Sequence, residues 1–384
     1  MGNVQRTNGR FQGRFRDLRG DQHSKLFNTE AQAWQWVGAN EKAAETGEFT
    51  SARRSRMTVG EFHSRWRGGL VGLDPSTKDR IDSDFRCHIL PAFGSEPLRR
   101  IDPLLVANWL AEKEGDLAPA SLQNLMYHLC ELLSAAIDDK RVPADLVVRL
   151  RKQVPIPSAI KGVLRAAMTD VQVQALAEAM SPERHGATVL LAAMTGMRLG
   201  EVLGLSVDNV TFLRRQIRVV RQLKVNRERG LHLAPPKTEL SRRTLPLPAP
   251  LAEALSIQLS RFPSVRVVLP EFDQRGRHQP VQVALVVHNG VGAYRPTAMV
   301  ATVARAARRA NVRVAGEWAS FHDLRHHFAS LMLARGMRPV ELQLALGHSQ
   351  LSTTLDTYCH FMPGDDEPLQ HVVMNEVWGR VDMG

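Results

Sequence analysis

Two short basic segments, residues 49–56 and 143–165, divide this chain and limit what it can fold into. The first is polar and rich in arginine, and the second contains three prolines. Because 384 residues exceed what one ordinary hydrophobic core supports, the segments predict three parts, over residues 1–48, 57–142 and 166–384. We expect a multidomain protein that is mainly α-helical and has small β-sheets.

The first part, residues 1–48, is predicted to be a small three-stranded sheet followed by one helix. Asn8-Gly9 is a hairpin signal between extended stretches, and Thr29 with Gln32 resembles a capping box that opens a helix. Five arginines crowd the sheet: Arg6, Arg10, Arg14, Arg16 and Arg19. A sheet this basic is suited to a DNA groove, although a solvated surface would carry the same charges.

The second part, residues 57–142, is predicted to be all α-helical. Thr58 with Glu61 resembles another capping box, and apolar residues from Leu122 to Ile137 recur at the spacing of an amphipathic helix. Residues 143–165 are then predicted to form an extended basic strap that suits a polyanion, although an ordinary linker kept soluble by charge fits as well. The cations singled out there are Arg149, Arg151, Lys152 and Lys161.

The composition indicates which class of partner the chain would bind and in which cellular compartment it would act. A net charge of +11 favours a polyanionic partner, although a merely basic soluble protein would have it too. The three cysteines lie far apart, which argues against a disulfide framework and against a zinc site. Since there is no signal-peptide core and no apolar run that would span a membrane, we expect a cytoplasmic protein.

The third part, residues 166–384, is predicted to mix helices with a small sheet around residues 211–247. Within it, the stretch Gly186–Val207 is nearly all apolar, and its only charges are Arg198 and Glu201. A charge in such a run is costly unless it is paired or functional. Spaced three apart on a helix, the two side chains can meet. Two interpretations are open. The pair is either a structural ion pair, or Glu201 holds Arg198 in a position to bind an anion.

Three further segments carry chemistry. Lys237 lies near a predicted β-turn, and a lysine among so many arginines suggests a group that can give up a proton. His322 and Arg325 share a helix face, where an anion between them would relieve their repulsion. His348 follows Leu-Gly, and Tyr358, one of three tyrosines, is the one that follows a polar run opening a helix.

In this order, the four segments resemble the signature of the tyrosine recombinases, the phage integrase family. The matching text reads Thr-Gly-Met-Arg-Leu-Gly-Glu, Pro-Lys-Thr, His-Asp-Leu-Arg-His and Leu-Gly-His, followed by the tyrosine. The resemblance covers residues 165–365. It fills all six catalytic positions of the family: Arg198, Lys237, His322, Arg325, His348 and Tyr358. Less specifically, the front half resembles the helical core-binding domain and the arm-binding module of the larger integrases.

The resemblance implies a mixed α+β catalytic domain that cleaves and rejoins DNA through a 3′-phosphotyrosine intermediate. Tyr358 would attack the scissile phosphate. Arg198, Arg325 and His348 would stabilise the charge that builds on its oxygens.

The remaining candidates have supporting roles under the resemblance. Lys237 would protonate the departing 5′-oxygen, His322 would assist as acid or base, and Glu201 would buttress Arg198. No cofactor and no metal are implied, because two guanidinium groups supply the positive charge that metal ions supply in nucleases.

The implied partner is double-stranded DNA with core and arm attachment sites. Four copies of the chain would assemble on it and pass through a Holliday junction to integrate and excise a phage or related mobile element. An excision factor and a host DNA-bending protein are candidate accessory partners, no membrane is implied, and the expected location is the nucleoid of a bacterial host. Three alternatives stay open: a type IB topoisomerase, a non-catalytic DNA-binding regulator, and a metal-dependent transposase or nuclease.

Overall fold

The computed structural model describes residues 2–17, 20–45, 57–156, 167–236, 239–273 and 275–358. Contacts divide the chain into two compact units, Met1–Ala159 and Ile160–Gly384. The architecture is mainly helical with small sheets, as the sequence predicts. The finer domain boundaries near residues 48, 57 and 142 remain predictions. None of the helices in the described ranges is long and apolar enough to cross a bilayer.

The amino-terminal part is a three-stranded antiparallel sheet covered by one helix, as predicted. Its elements are β1 (Asn3–Thr7), β2 (Arg10–Arg16), β3 (Gln22–Phe27) and α1 (Glu30–Glu45), with strand order β1-β2-β3. Asn8 and Gly9 form the predicted turn, both with positive φ. A Cβ at Gly13 would lie 3.0 Å from the Val37 side chain, so the glycine lets α1 approach the sheet closely.

Residues 57–156 form a bundle of helices with its own apolar core. The helices are α2 (Val59–Gly68), α3 (Pro75–Asp84), α4 (Leu90–Phe93), α5 (Pro103–Glu114), α6 (Pro119–Asp138) and α7 (Leu146–Gln153). The predicted capping box is present, since the Thr58 hydroxyl accepts from the Glu61 N–H and the Glu61 carboxylate accepts from the Thr58 N–H. α6 confirms the predicted amphipathic helix and contributes much of the core.

The prediction of an extended strap over residues 143–165 is wrong for its first half. Residues 146–153 are the helix α7, whose Leu146, Val147 and Leu150 are buried in the core of the bundle. The prolines at 143 and 155 flank this helix, so they bound it instead of extending the chain. Residues 157–165 lie outside the described ranges.

The second unit mixes helices and sheets, as predicted. Its helices are α8 (Asp170–Glu178), α9 (Gly186–Thr195), α10 (Leu199–Leu203), α11 (Ala249–Arg261), α12 (Pro296–Arg309), α13 (Phe321–Ala334), α14 (Pro339–Leu346) and α15 (Leu351–Tyr358). Its strands are β4 (Val210–Thr211), β5 (Gln216–Val219), β6 (Gln222–Asn226), β7 (Gly230–Ala234), β8 (Arg243–Pro246), β9 (Val265–Phe272), β10 (His278–Leu285), β11 (Arg313–Val314) and β12 (Glu317–Trp318). A capping box formed by Thr169 and Gln172 opens α8.

The described strands of this unit form three sheets. Their orders are β4-β5-β8, β10-β9-β7-β6 and β11-β12. Strands β4 to β8 span residues 210–246, which confirms the predicted sheet region but divides it between two sheets. The hairpin of β9 and β10 was not predicted. At the centre, α13 packs against α9, with Leu324 and Phe328 fully buried.

Acidification is expected to destabilise this unit through a buried histidine. His185 is fully buried, its two ring nitrogens have no hydrogen-bond partner, and its ring lies edge-on to Tyr294. Burial, and then the charge of Arg184, lowers the pKa of His185 to about 4. Between pH 6.5 and 4 the unfolded chain therefore binds the proton more readily than the folded one, and the free energy of unfolding falls as the pH falls.

His185→Phe should remove this part of the pH dependence. We expect denaturant unfolding to show that the wild type loses on the order of 2–3 kcal/mol more than the variant as the pH falls from about 6.5 to about 4. Parallel losses in both proteins would show that His185 does not titrate over this range.

Candidate active site

An ion pair stands at the junction of α9 and α10, where the sequence predicted it. Arg198 precedes α10, its backbone N–H donates to Glu201 Oε2 over 2.9 Å, and its Nη1 donates to Glu201 Oε1 over 3.0 Å. The Glu201 side chain is 2% exposed and that of Arg198 is 38% exposed. Glu201 therefore holds the guanidinium from the interior, and part of the guanidinium remains open to solvent.

Three consecutive carbonyl groups at the end of α14 each accept a hydrogen bond from a different guanidinium group. Their donors are Arg243 Nε to Ala345 O over 2.6 Å, Arg325 Nη2 to Leu346 O over 2.8 Å, and Arg198 Nη2 to Gly347 O over 3.0 Å. Carbonyls at a helix end lack intrahelical partners and carry partial negative charge. The end of α14 therefore compensates part of the positive charge and fixes where these side chains lie.

Arg325 is the most buried of these arginines, at 3% exposure on α13. Its Nη1 also donates to Gly196 O over 2.7 Å. Gly196 ends α9 with a φ of 65°, and a Cβ there would lie 2.5 Å from the Phe328 ring, so the position requires glycine. Burial, and then the charge of Arg198, lowers the pKa of Arg325 to about 9. The guanidinium is still charged at neutral pH, and a bound anion would stabilise it.

His348 follows this helix end and is neutral at physiological pH. Its backbone N–H donates to Gln343 O over 3.0 Å, and its Nδ1 lies 2.9 Å from the Thr354 hydroxyl. Burial, followed by the charge of Arg325 and then of Arg198, lowers the pKa of His348 to about 4. When Thr354 donates to Nδ1, the proton of the neutral ring is on Nε2, which can then donate to an anion.

Tyr358 is the last residue of α15 and is 3% exposed, in an apolar cluster with Phe328 and Met332. Its ring centroid lies 5.4 Å from that of His326, which in turn lies 4.5 Å from that of His322. Both histidines are on α13, one helical turn apart. His322 is exposed. The ring of His326, to which the sequence analysis assigned no role, therefore lies between His322 and Tyr358.

Five of the six predicted catalytic residues therefore meet in one region of the second unit. Arg198 lies directly before α10, and His322 and Arg325 lie on α13. His348 follows the end of α14, and Tyr358 ends α15. Lys237 lies outside the described residues. Within the described ranges, no group of three or more His, Cys, Asp and Glu side chains has the arrangement of a metal site.

Sequence reasoning missed Arg243 and Ser241, which complete the surroundings of Glu201. Arg243 donates through Nη2 to Glu201 Oε2 over 2.9 Å and through Nη1 to Oε1 over 3.2 Å. Ser241 donates to Gly347 O over 3.0 Å. Burial alone would raise the pKa of Glu201, but the charges of Arg243 and Arg198 outweigh it and hold that pKa below its usual range. The basic Ser-Arg-Arg-Thr text in which both residues lie was the available signal.

The other two tyrosines lie in segments outside this site. Tyr127 is 56% exposed on α6. Tyr294 is half-buried, and its hydroxyl lies 2.9 Å from that of Thr302. Tyr127 lies in the middle of α6 in the first unit, and Tyr294 lies just before the start of α12.

The arginines predicted to bind DNA in the amino-terminal sheet divide between its two faces. Alternation along β2 places Arg10, Arg14 and Arg16 on the face opposite α1. Arg6 pairs with Phe11 across β1 and β2, and its guanidinium lies over that ring, so it belongs to the face that α1 covers. Arg19 lies outside the described residues.

The cations predicted in the 143–165 segment are also separated. Arg149 pairs with Asp145 over 2.9 Å on the side of α7. Arg151 and Lys152 are exposed in the last turn of that helix. Lys161 lies outside the described residues.

Comparison with known proteins places this fold. The model of the phage integrase family matches residues 166–363, just over half of the chain. An integrase of Streptomyces ambofaciens is 28% identical over 314 residues, which cover 78% of this chain and 76% of the relative. A XerC-like tyrosine recombinase of Caldanaerobacter subterraneus is 28% identical over 203 residues, covering 51% of this chain and 50% of the relative.

Solved structures share the fold at low sequence identity. The Tn1549 transposon integrase in complex with transposon right-end DNA superposes with a TM-score of 0.64 at 20% identity, over 79% of this chain and 95% of that one. A lambda integrase dimer bound to a core site superposes with a TM-score of 0.58 at 16% identity, over 97% of both chains.

A family match of this extent, on a fold shared with these integrases, defines the class of protein as a site-specific DNA recombinase, an enzyme that cleaves and transfers DNA strands. The chain belongs to the phage integrase family, the tyrosine recombinases. The family resemblance drawn from the four sequence segments is thereby confirmed. The topoisomerase, regulator and nuclease alternatives are not favoured.

Proposed function

We propose that Tyr358 is the nucleophile of this recombinase and that DNA cleavage proceeds through a 3′-phosphotyrosine. The observation that carries the proposal is the meeting of Arg198 and Arg325 on adjacent carbonyls of one helix end, which His348 follows and whose Leu346 lies in the same apolar cluster as Tyr358. In this reaction, the anion that would bind between Arg198 and Arg325 is the scissile phosphodiester of the DNA. We further propose that recombination integrates and excises a phage or related mobile element.

The balance of charge favours a bound phosphate. In the described part of the chain, the ion pairs of Arg198 and Arg243 both go to Glu201, and Arg325 has none. Three guanidinium groups therefore face one carboxylate, which leaves an excess of two positive charges in a largely buried place. A phosphodiester brings one negative charge and oxygens that accept from planar guanidinium donors.

The proposed step transfers a phosphoryl group without water or a cofactor. The Tyr358 oxygen attacks the phosphorus, the bond from phosphorus to the 5′-oxygen breaks, and the strand end remains on the tyrosine as a 3′-phosphodiester. The phenolic proton passes to a base, for which we propose His322, and Lys237 donates a proton to the departing 5′-oxygen. In the reverse step, a 5′-hydroxyl from the partner strand attacks the phosphotyrosine and releases Tyr358.

Charge builds on the two non-bridging oxygens as the tyrosine attacks. Arg198 and Arg325 would bind these oxygens, since both are fixed before DNA arrives and need little reorganisation. His348 would donate from Nε2 as a neutral ring, which adds a hydrogen bond without adding another positive charge to the arginine cluster. Its preorganisation comes from the bond between Nδ1 and Thr354.

The test is covalent capture on a nicked DNA substrate that loses a short fragment after cleavage, analysed on a denaturing gel. We expect the wild type to form a protein–DNA adduct in EDTA and Tyr358→Phe to form none. Tyr294→Phe is the matched control and should form the adduct at a rate close to that of the wild type. An adduct with Tyr358→Phe, or a wild type that needs a divalent metal ion, would contradict the proposal.

We infer that four protomers act together on two duplexes. A lambda integrase structure of similar fold is a tetramer bound to a Holliday junction. The same assembly would let this chain exchange strands between an element and a bacterial chromosome, and we propose that it acts on the nucleoid DNA of its host. An excision factor and a host DNA-bending protein are proposed accessory partners.

The outward face of the amino-terminal sheet is the proposed arm-site surface. Beside Arg10, Arg14 and Arg16, the pairing register brings Gln5, Gln12 and Ser24 to this face. Amide and guanidinium groups are the side chains that hydrogen-bond to base edges and phosphates. Because residues 2–45 have their own small core, this module can contribute affinity separately from the cleavage chemistry.

Replacing Arg10, Arg14 and Arg16 together with alanine should weaken binding to arm-site DNA and reduce the slope of log affinity against log salt by up to about 3. Cleavage of core-site DNA should be unchanged, and deleting residues 1–48 should likewise spare cleavage while impairing integration. Lys25→Ala, on the face covered by α1, is the matched control. Equal loss of cleavage and integration would rule out a separate arm-binding role.

A further inference from the structure

We propose that Arg243 is a positioning residue for strand cleavage: it sets the geometry of Arg198 and Arg325 and does not itself bind DNA. The inference rests on the proposed function, because it concerns the same phosphate site. It concerns a residue at the start of β8, in a part of the sequence outside the six predicted catalytic positions.

The hydrogen bonds of Arg243 show that it is an internal clamp. Its side chain is 7% exposed. Each of its three nitrogen atoms donates to a protein oxygen: Nε to Ala345 O, Nη1 to Ser241 O and Glu201 Oε1, and Nη2 to Glu201 Oε2. A guanidinium that is occupied in this way has little left to offer a phosphate. Its effect on the reaction must pass through the groups it holds.

The first of these groups is Glu201. Its Oε1 accepts from Nη1 of both Arg198 and Arg243, over 3.0 and 3.2 Å. Its Oε2 accepts from the Arg198 backbone N–H and from Arg243 Nη2, each over 2.9 Å. Arg243 therefore fixes both oxygens of the carboxylate that aims Arg198. Without it, the carboxylate would have one guanidinium partner and could rotate with it.

The second group is the carbonyl row of α14. Arg243 holds Ala345 O, and the next two carbonyls hold Arg325 and Arg198. The turn at Gly347 packs closely on the same residues, because a Cβ at Gly347 would lie 3.2 Å from Arg243 Nη1 and 3.0 Å from the Ser241 Cα. The clamp thus connects β8 with the helix end that positions both phosphate-facing arginines.

If the role of Arg243 were only structural, the cleavage rates of the variants would follow a different pattern. If Arg243 only stabilised the fold, its loss would lower activity by the same factor whether or not Arg198 were present. If it acts through Glu201 and the α14 carbonyls, the part of its effect that passes through Arg198 should disappear once Arg198 has been removed. Coupling between the two substitutions is therefore the readout that separates the explanations.

The experiment measures single-turnover cleavage of a nicked DNA substrate at saturating full-length protein, for the wild type, Arg243→Met, Arg198→Met and the double variant. We expect Arg243→Met to slow cleavage on the order of 10²-fold, by analogy with loss of one preorganised donor. In the Arg198→Met background, the same change should slow cleavage by about tenfold or less, because only the path through the α14 carbonyls and Arg325 remains. DNA affinity should stay within about threefold of the wild type, since Arg243 does not face the phosphate.

Two further variants keep the result interpretable. Arg243→Lys keeps the charge but cannot span Glu201 and Ala345 with a planar fork, so it should fold and still be slow. Arg184→Met, which removes a half-buried arginine that lies over the Phe262 ring, should cleave like the wild type. Wild-type cleavage rates in Arg243→Met and Arg243→Lys, or a loss that multiplies fully with that of Arg198→Met, would overturn the inference. A wild type that forms no adduct would instead overturn the proposed function.

Discussion

Arg325→Met is expected to slow covalent DNA cleavage by about 10²–10³-fold, as removal of one preorganised charge donor does elsewhere. The guanidinium is 3% exposed and bridges Gly196 O and Leu346 O, so its position is fixed before the phosphate arrives. Methionine keeps the approximate length of the side chain and removes the charge. Rapid-quench or gel-based single-turnover kinetics at saturating protein would measure the effect.

Arg325→Lys separates charge from geometry. An ammonium keeps the positive charge but cannot reach both carbonyls and a phosphate with a planar fork. We expect its cleavage rate to lie between those of Arg325→Met and the wild type. Melting temperatures must accompany the rates, because each unpaired buried carbonyl costs about 1–3 kcal/mol of stability. A rate for Arg325→Met within about threefold of the wild type would contradict a direct role in phosphate binding.

Glu201→Gln is expected to lower the free energy of unfolding by about 3–5 kcal/mol, the range found when one partner of a buried ion pair is removed. The side chain is 2% exposed and is the carboxylate partner of both Arg198 and Arg243. Glutamine keeps the shape but leaves three guanidinium groups without their counter-charge. Cleavage should also slow, because Arg198 loses the group that aims it.

DNA should rescue part of this loss, which ties the prediction to phosphate binding. A bound phosphate supplies the missing negative charge, so the melting temperature of Glu201→Gln should rise more on addition of a core-site duplex than that of the wild type. Glu183→Gln is the matched control, since Glu183 pairs with Arg261 over 2.8 Å at an exposed position. That pair should contribute less than about 1 kcal/mol. Equal stabilities of Glu201→Gln and the wild type would contradict the role assigned to the carboxylate.

Local spacing was enough to predict much of the site. Arg198 and Glu201 are three residues apart at a helix start, and His322 and Arg325 are three apart on α13, so one helical turn fixes each pair. The capping box of Thr58 and Glu61 also lies within one turn. Interactions over such short distances depend on few residues, which is why sequence patterns predict them.

Contacts between distant segments could not be predicted in this way. Arg243 and Ala345 are 102 residues apart, and Arg198 and Gly347 are 149 apart, so their hydrogen bonds depend on the whole fold. The helix α7 was mistaken for an extended strap because its prolines were interpreted without the apolar spacing of Leu146 and Leu150. The β9–β10 hairpin escaped prediction because Pro270 and Pro280 interrupt its strands.

The measurement that tests the central claim most directly is mass spectrometric mapping of the covalent adduct after digestion of its DNA and protein. The chain has three tyrosines, and each lies in a different segment, so peptides distinguish them. We expect the residual 3′-nucleotide to be linked through phosphate to the phenolic oxygen of Tyr358. Linkage at Tyr127, at Tyr294 or at a serine would contradict the account, as would cleaved DNA that carries no protein.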